Sequence, residues 1–95
     1  MAEAYHQLGE ALAQQGAWRE AIDVYHALAR LKPDDVRVKR SLGDAHRVLG
    51  FRLIERGELS QAIEQLGITL RFDPANEEVK RALASALITE HSQRR

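Results

Sequence analysis

The sequence predicts an all-α protein built as a solenoid of helical hairpins. Three observations carry that prediction: apolar residues recur at helical spacing, strand signals are missing, and one segment is written twice. The stretch WREAIDVYHALARLKPDD, residues 18–35, returns in outline as LSQAIEQLGITLRFDPAN, residues 59–76. Ala21, Ile22 and Pro33 reappear as Ala62, Ile63 and Pro74, each 41 residues further on. The i, i+4 pairs Leu8/Leu12, Ala21/Tyr25, Leu49/Leu53, Ala62/Leu66 and Val79/Leu83 place apolar side chains on one face of successive helices. There are only two prolines, no Asn-Gly or Asp-Gly turn and no alternating β-branched run, so hairpins of strands are not expected.

Five helices follow from the punctuation. The first, 2–15, ends at Gly16, because glycine takes the left-handed conformation after a helix without steric cost. The second, 18–31, is closed by Pro33, and Asp34-Asp35 supplies the cap of the next. The third, 35–56, carries a continuous stripe of Val38, Leu42, Ala45, Leu49 and Leu53, and stops before Gly57. The fourth, 59–72, is followed by Pro74 and the cap candidates Ala75-Asn76, and the fifth runs over 76–91. Short connections make neighbours antiparallel.

Aligned at the 41-residue shift, the first unit reads Tyr5, Leu8-Gly9, Leu12, Gly16, Ala21, Tyr25, Pro33. The second reads His46, Leu49-Gly50, Leu53, Gly57, Ala62, Leu66, Pro74. This pattern resembles the tetratricopeptide repeat, a helix–turn–helix of about 34 residues. The resemblance covers residues 2–35 (unit one) and 43–76 (unit two). Leu12, Leu53, Leu66 and His46 replace aromatic residues of the family pattern, mostly as core swaps of compatible size. Between the units lie VRVKRSL, residues 36–42, which recur as EEVKRAL, residues 77–83, so the extension belongs to the repeating unit. Seven residues are nearly two helical turns, a drift of about 20°, and the apolar stripe continues through them. The chain is thus similar to a long-period variant in which the first helix of each unit is lengthened, with 76–91 as a closing helix and 1–95 as one domain. Unit one starts at Ala2 without the extension, as expected of a piece of a longer array or a unit that lost its leading turns.

Composition narrows the function classes. Fourteen basic residues balance fourteen acidic ones, which argues against a general nucleic-acid binder. The absence of cysteine excludes disulfides and thiolate metal sites. No apolar run reaches a membrane span and the N-terminus lacks the features of a signal peptide, so a cytoplasmic location is expected. His6, His26, His46 and His91 form no close metal-ligand spacing, and no nucleophile motif or phosphate-binding glycine loop is present. No enzyme, cofactor or metal is therefore expected. His46 stands where the family has a core aromatic, which predicts a packed, hydrogen-bonded histidine. Arg37, Lys39, Arg40, Arg47, Arg52 and Arg56 all fall on the third helix, scattered around it, and are expected to pair with acids on neighbouring helices.

Phe51 points away from the core stripe of its helix. In the family that face lines a concave groove where partner segments bind, which implies His6, Glu10 and Ala13 in unit one. It implies Asp44, Arg47, Phe51 and Ile54 in unit two, with Arg40 on the extension and Arg81, Ser85 and Ile88 on the closing helix. The alternative is that Phe51 packs on the flanking helices. Family members that clamp a terminal carboxylate use paired lysines and asparagines where this chain has His6, Glu10 and Val48, so that specialised role is not expected. The resemblance implies a non-catalytic scaffold that binds a protein or peptide. The alternatives are a self-association module, and a docking module of a larger enzyme or regulatory protein. For self-association, a third helix longer than its partners is expected to expose Val36, Val38 and Leu42 on an overhang, favouring a homodimer or larger assembly.

Overall fold

A computed structural model describes residues 2–94. Among these, helices account for nearly all of the chain: α1 (Ala2–Gln14), α2 (Trp18–Leu31), α3 (Val36–Glu55), α4 (Leu59–Phe72) and α5 (Glu77–Gln93). No strand interrupts them among the described residues. The α3 and α5 starts fall one residue later than predicted because Asp35 and Asn76 are caps rather than helical residues. The Asp35 carboxylate accepts the Arg37 amide and the Asn76 side-chain oxygen accepts the Val79 amide. At the other ends, Gly16 and Gly57 take φ of 79° and 76°. The amides that follow them bond back to Leu12 and Leu53, closing two identical C-terminal motifs.

The order of packing is linear. Helix α1 pairs with α2, α2 with α3, α3 with α4, and α4 with α5. The result is elongated, 50 × 26 × 18 Å. Both hairpins close in the same way. A Cβ built on Gly9 would lie 2.5 Å from the Tyr25 ring, and one on Gly50 would lie 2.7 Å from Leu66, so each glycine admits the large residue facing it. Ala21 and Ala62, at equivalent places, are fully buried. Ile22, Tyr25, Leu42, Ala45, Leu49 and Leu53 join these alanines in one apolar cluster that runs through α2, α3 and α4.

The expected overhang of α3 does not expose the residues assigned to it. Val38 and Leu42 are each only 2% exposed, and Val36 alone projects into solvent. Because α1 runs antiparallel to α2, its first turn lies beside the end of α2, where α3 begins. Ala2, Glu3, His6 and Leu28 surround Val38 there, and the Arg37 guanidinium lies 3.8 Å from the Glu3 carboxylate. The leading turns of α3 are therefore covered by the chain's own first hairpin.

Candidate functional site

The face of α3 turned away from the core carries two neighbouring cavities rather than one continuous groove. Near its C-terminal end, Phe51 and Ile54 face the small residues Ala82, Ser85 and Ala86 of α5, with Leu59 at the edge. The space between them is about 450 Å³. Phe51 is half-buried, with its ring in the wall of this cavity. Alanine and serine on α5 leave the room that larger side chains would fill. That lining was absent from the sequence expectation except for Ser85. The i, i+4 pair Ala82/Ala86 was the available signal, since small residues at that spacing create a concavity on one helix face.

Nearer the start of α3, Arg40, Asp44 and Arg47 line a more polar cavity of about 410 Å³ with Thr69, Phe72 and Asp73 of the α4 end. These three lie on the same face of α3 as Phe51 but meet α4 rather than α5. His6 lies elsewhere, beside the start of α3, paired with Glu10 at 2.8 Å and tilted against the Tyr25 ring. Ala13 packs on the core cluster. Burial, then the Glu10 carboxylate, raise the Tyr25 hydroxyl above its usual 10.0, with Ser41 opposing through a hydrogen bond and Asp44 raising it further. Glu10 and Asp44 thus converge on Tyr25 from α1 and α3. Arg81 and Ile88 are exposed on α5 and line neither cavity.

His46 is packed, as expected of a histidine in a core position. It is 4% exposed, stacked on Phe72 and edge-on to His26. Its Nδ1 lies 2.6 Å from Gln65 Oε1, which selects the neutral tautomer with the proton on Nδ1, donating to the amide oxygen. Its Nε2 is buried without a partner. Burial lowers its pKa below 6.5, and the neighbouring His26 lowers it further, against the Gln65 hydrogen bond.

The expected pairing of the α3 cations is largely missing. Among the described residues, Arg37 is the member of that run within ion-pair distance of an acid, and the acid is Glu3. Among the described residues no helix is long and apolar enough to cross a membrane, and no group of three or more His, Asp or Glu could hold a metal ion.

Residues 2–35, the whole first hairpin with its turn and closing Pro33, match the tetratricopeptide repeat family. The first hairpin is a tetratricopeptide repeat. No curated protein matches the chain with significant similarity. Tetratricopeptide repeats generally mediate protein–protein interaction and are typically non-catalytic modules. Outside the matched residues, the second hairpin reproduces the glycine contact, the buried alanine and the C-terminal turn of the matched one.

Proposed function

We propose that this tetratricopeptide repeat chain is a non-catalytic scaffold that binds a protein or peptide segment on the outward face of α3. The observation that supports this reading is the apolar cavity of about 450 Å³ between α3 and α5, walled by Phe51 and Ile54. It offers an aromatic and an aliphatic surface in a concave setting, which suits an apolar side chain of a partner. Arg47 and Arg40, next along α3, add positive charge that orients an incoming segment.

A library of short amphipathic peptides, selected against the chain and mapped by amide shifts, tests the reading. Bound peptides are expected to perturb Phe51, Ile54 and Ser85. Phe51→Ala with Arg47→Ala is expected to abolish that binding with little change in melting temperature. Binders that perturb other faces, or that ignore both substitutions, overturn it. A large stability loss from Phe51→Ala alone would assign the ring to helix packing instead.

Self-association is the second reading, supported by the ends of the array. Tyr5, Leu8 and Leu31 at one end and Leu87 and Ile88 at the other are exposed. Of the residues expected on the overhang, Val36 is exposed and can add to this surface, whereas Val38 and Leu42 are buried. Sedimentation separates the readings, since a monomer at millimolar concentration excludes the second and leaves the first untouched.

A further inference from the structure

The outward face of α3 is not the whole surface of that helix. Around its C-terminal end, against the turn between α1 and α2, lies a third cavity of about 250 Å³. Trp18, Arg19 and Glu20 line it from the first turn of α2, and Leu49, Arg52 and Arg56 from α3. It shares no lining residue with the Phe51 cavity. Three arginines against one glutamate leave a formal +2.

Its chemistry is short of acceptors. Arg52 and Arg56 have no carboxylate within ion-pair distance among the described residues, and Arg19 donates only to the neutral Gln61 oxygen, at 2.8 Å. The N-cap of α2 is Ala17, which offers no side-chain acceptor to the first-turn amides. The positive end of the helix dipole adds to the same side.

The repeat supplies an internal comparison. Forty-one residues on, the equivalent junction forms a cavity of about 290 Å³ lined by Gly57, Glu58, Leu59, Ser60, Gln61, Glu90 and Gln93. Each is the counterpart of a residue lining the first: Arg19 becomes Ser60, Leu49 becomes Glu90 and Arg52 becomes Gln93. There the chain supplies its own acid. The Glu90 carboxylate accepts the Ser60 hydroxyl at the first turn of α4, with Arg94 3.7 Å away on its other side. Glu58 and Glu90 with no lining arginine make that junction formally −2. The same fold position thus holds a carboxylate bonded to the first turn of α4 in unit two, and is positive and open in unit one, where Glu20 is paired with none of the three arginines.

We infer that the junction formed by Arg19, Arg52, Arg56 and the first turn of α2 is a binding site for a carboxylate of an acidic peptide segment. Arginine suits this role because its planar fork bonds both oxygens of an oxyanion at once. Helix-terminal amides bind the same group.

Trp18 is the chain's sole tryptophan and reports on the site directly. The test titrates the chain at fixed ionic strength with an acetylated, amidated tetraglutamate peptide and, separately, with inorganic phosphate. Tryptophan emission and backbone amide shifts are followed. The peptide is expected to give a saturable response at Trp18, Arg19 and Glu20, none at Gly57, Glu58 and Gln93 of the second junction, and a weaker one as salt rises. Arg52→Gln with Arg56→Gln places at 52 the glutamine found at 93. It is expected to weaken binding on the order of tenfold or more, from the loss of charge-assisted hydrogen bonds. Amide spectra confirm that the variant is folded, and Arg19→Gln, in the other wall, gives an independent loss. No saturable response, or one that survives these substitutions, overturns the site. A response to phosphate alone overturns its assignment to a carboxylate.

Discussion

Leu49 and Leu8 occupy the same place in two copies of one pattern, yet Leu49 is 7% exposed and Leu8 is 48% exposed. His46 and Tyr5 differ in the same sense, at 4% and 37%. The local sequence does not explain this, because the flanking Gly, Ala and Pro positions are shared. The difference comes from neighbours. Helix α3 has α2 on one side and α4 on the other, whereas α1 packs along α2 and meets α3 only at the start of that helix. In a repeat array, a residue at the interface between units is buried only where an adjoining unit exists. The two hairpins therefore share an internal architecture and differ in energetics.

The largest test of that difference is the leucine pair. Leu49→Ala is expected to cost about 2–5 kcal/mol, as for other buried leucines. Leu8→Ala is expected to cost less than about 1 kcal/mol, because half of its side chain is already in water. Urea unfolding of the two variants reads the contrast. Equal losses would mean that the first hairpin is covered as well as the second.

The glycines sharpen the comparison inside the hairpins. At Gly9 a new Cβ would meet Tyr25 Cε1 at 2.5 Å and Cζ at 2.8 Å, atoms of a rigid ring. At Gly50 it would meet Leu66 Cδ2 at 2.7 Å and Cγ at 2.9 Å, atoms of a jointed side chain rather than a rigid ring. Alanine also gains helix propensity over glycine, by about 1 kcal/mol. Gly9→Ala is therefore expected to destabilise by about 1–3 kcal/mol and Gly50→Ala by less than about 1 kcal/mol, once propensity offsets the crowding. Thermal melts of both would show it, and the reverse order would mean that Leu66 is held more firmly than the Tyr25 ring.

The residues that made the fold legible act locally. Gly16, Gly57, Pro33 and Pro74 fix where helices stop, and the i, i+4 pairs fix which face is buried, so the five helices could be read within one or two residues of their ends. What covers a face is not local. Val38 and Leu42 were read correctly as apolar stripe residues and wrongly as exposed. Val38 meets Leu28 and the start of α1, some 35 residues away in sequence and brought there by the antiparallel turn at Gly16, while Leu42 joins the cluster of Ile22 and Tyr25 from α2. The candidate groove suffered similarly. One helix face carries Arg40 through Ile54, but α4 and α5 divide it, so its polar and apolar halves line separate cavities. The charge reversal between the two junctions is legible in the 41-residue alignment, which sets Ala17 against Glu58, Arg19 against Ser60, Leu49 against Glu90 and Arg52 against Gln93.

The smallest expected effect separates His46 from its counterpart Tyr5 by pH. His46 is held neutral in the fold because burial, then His26, lower its pKa below 6.5. The other groups packed on it, Gln65 and Phe72 of α4, carry no charge. An unfolded histidine titrates near 6.5. As pH falls through that value the unfolded chain binds a proton that the folded chain does not, so stability declines from about 6.5 towards the lower folded pKa. Above that window the contribution is fully present. His46→Phe keeps an aromatic ring against Phe72 and removes the titration. The wild type is expected to lose more melting temperature between pH 7.5 and 5.5 than this variant. Tyr5→Phe, at the equivalent place in unit one, is expected to leave the pH dependence of the wild type unchanged. Parallel pH profiles for wild type and His46→Phe would show that a proton on His46 finds an acceptor, and that the unpartnered Nε2 is not what ties this junction to pH.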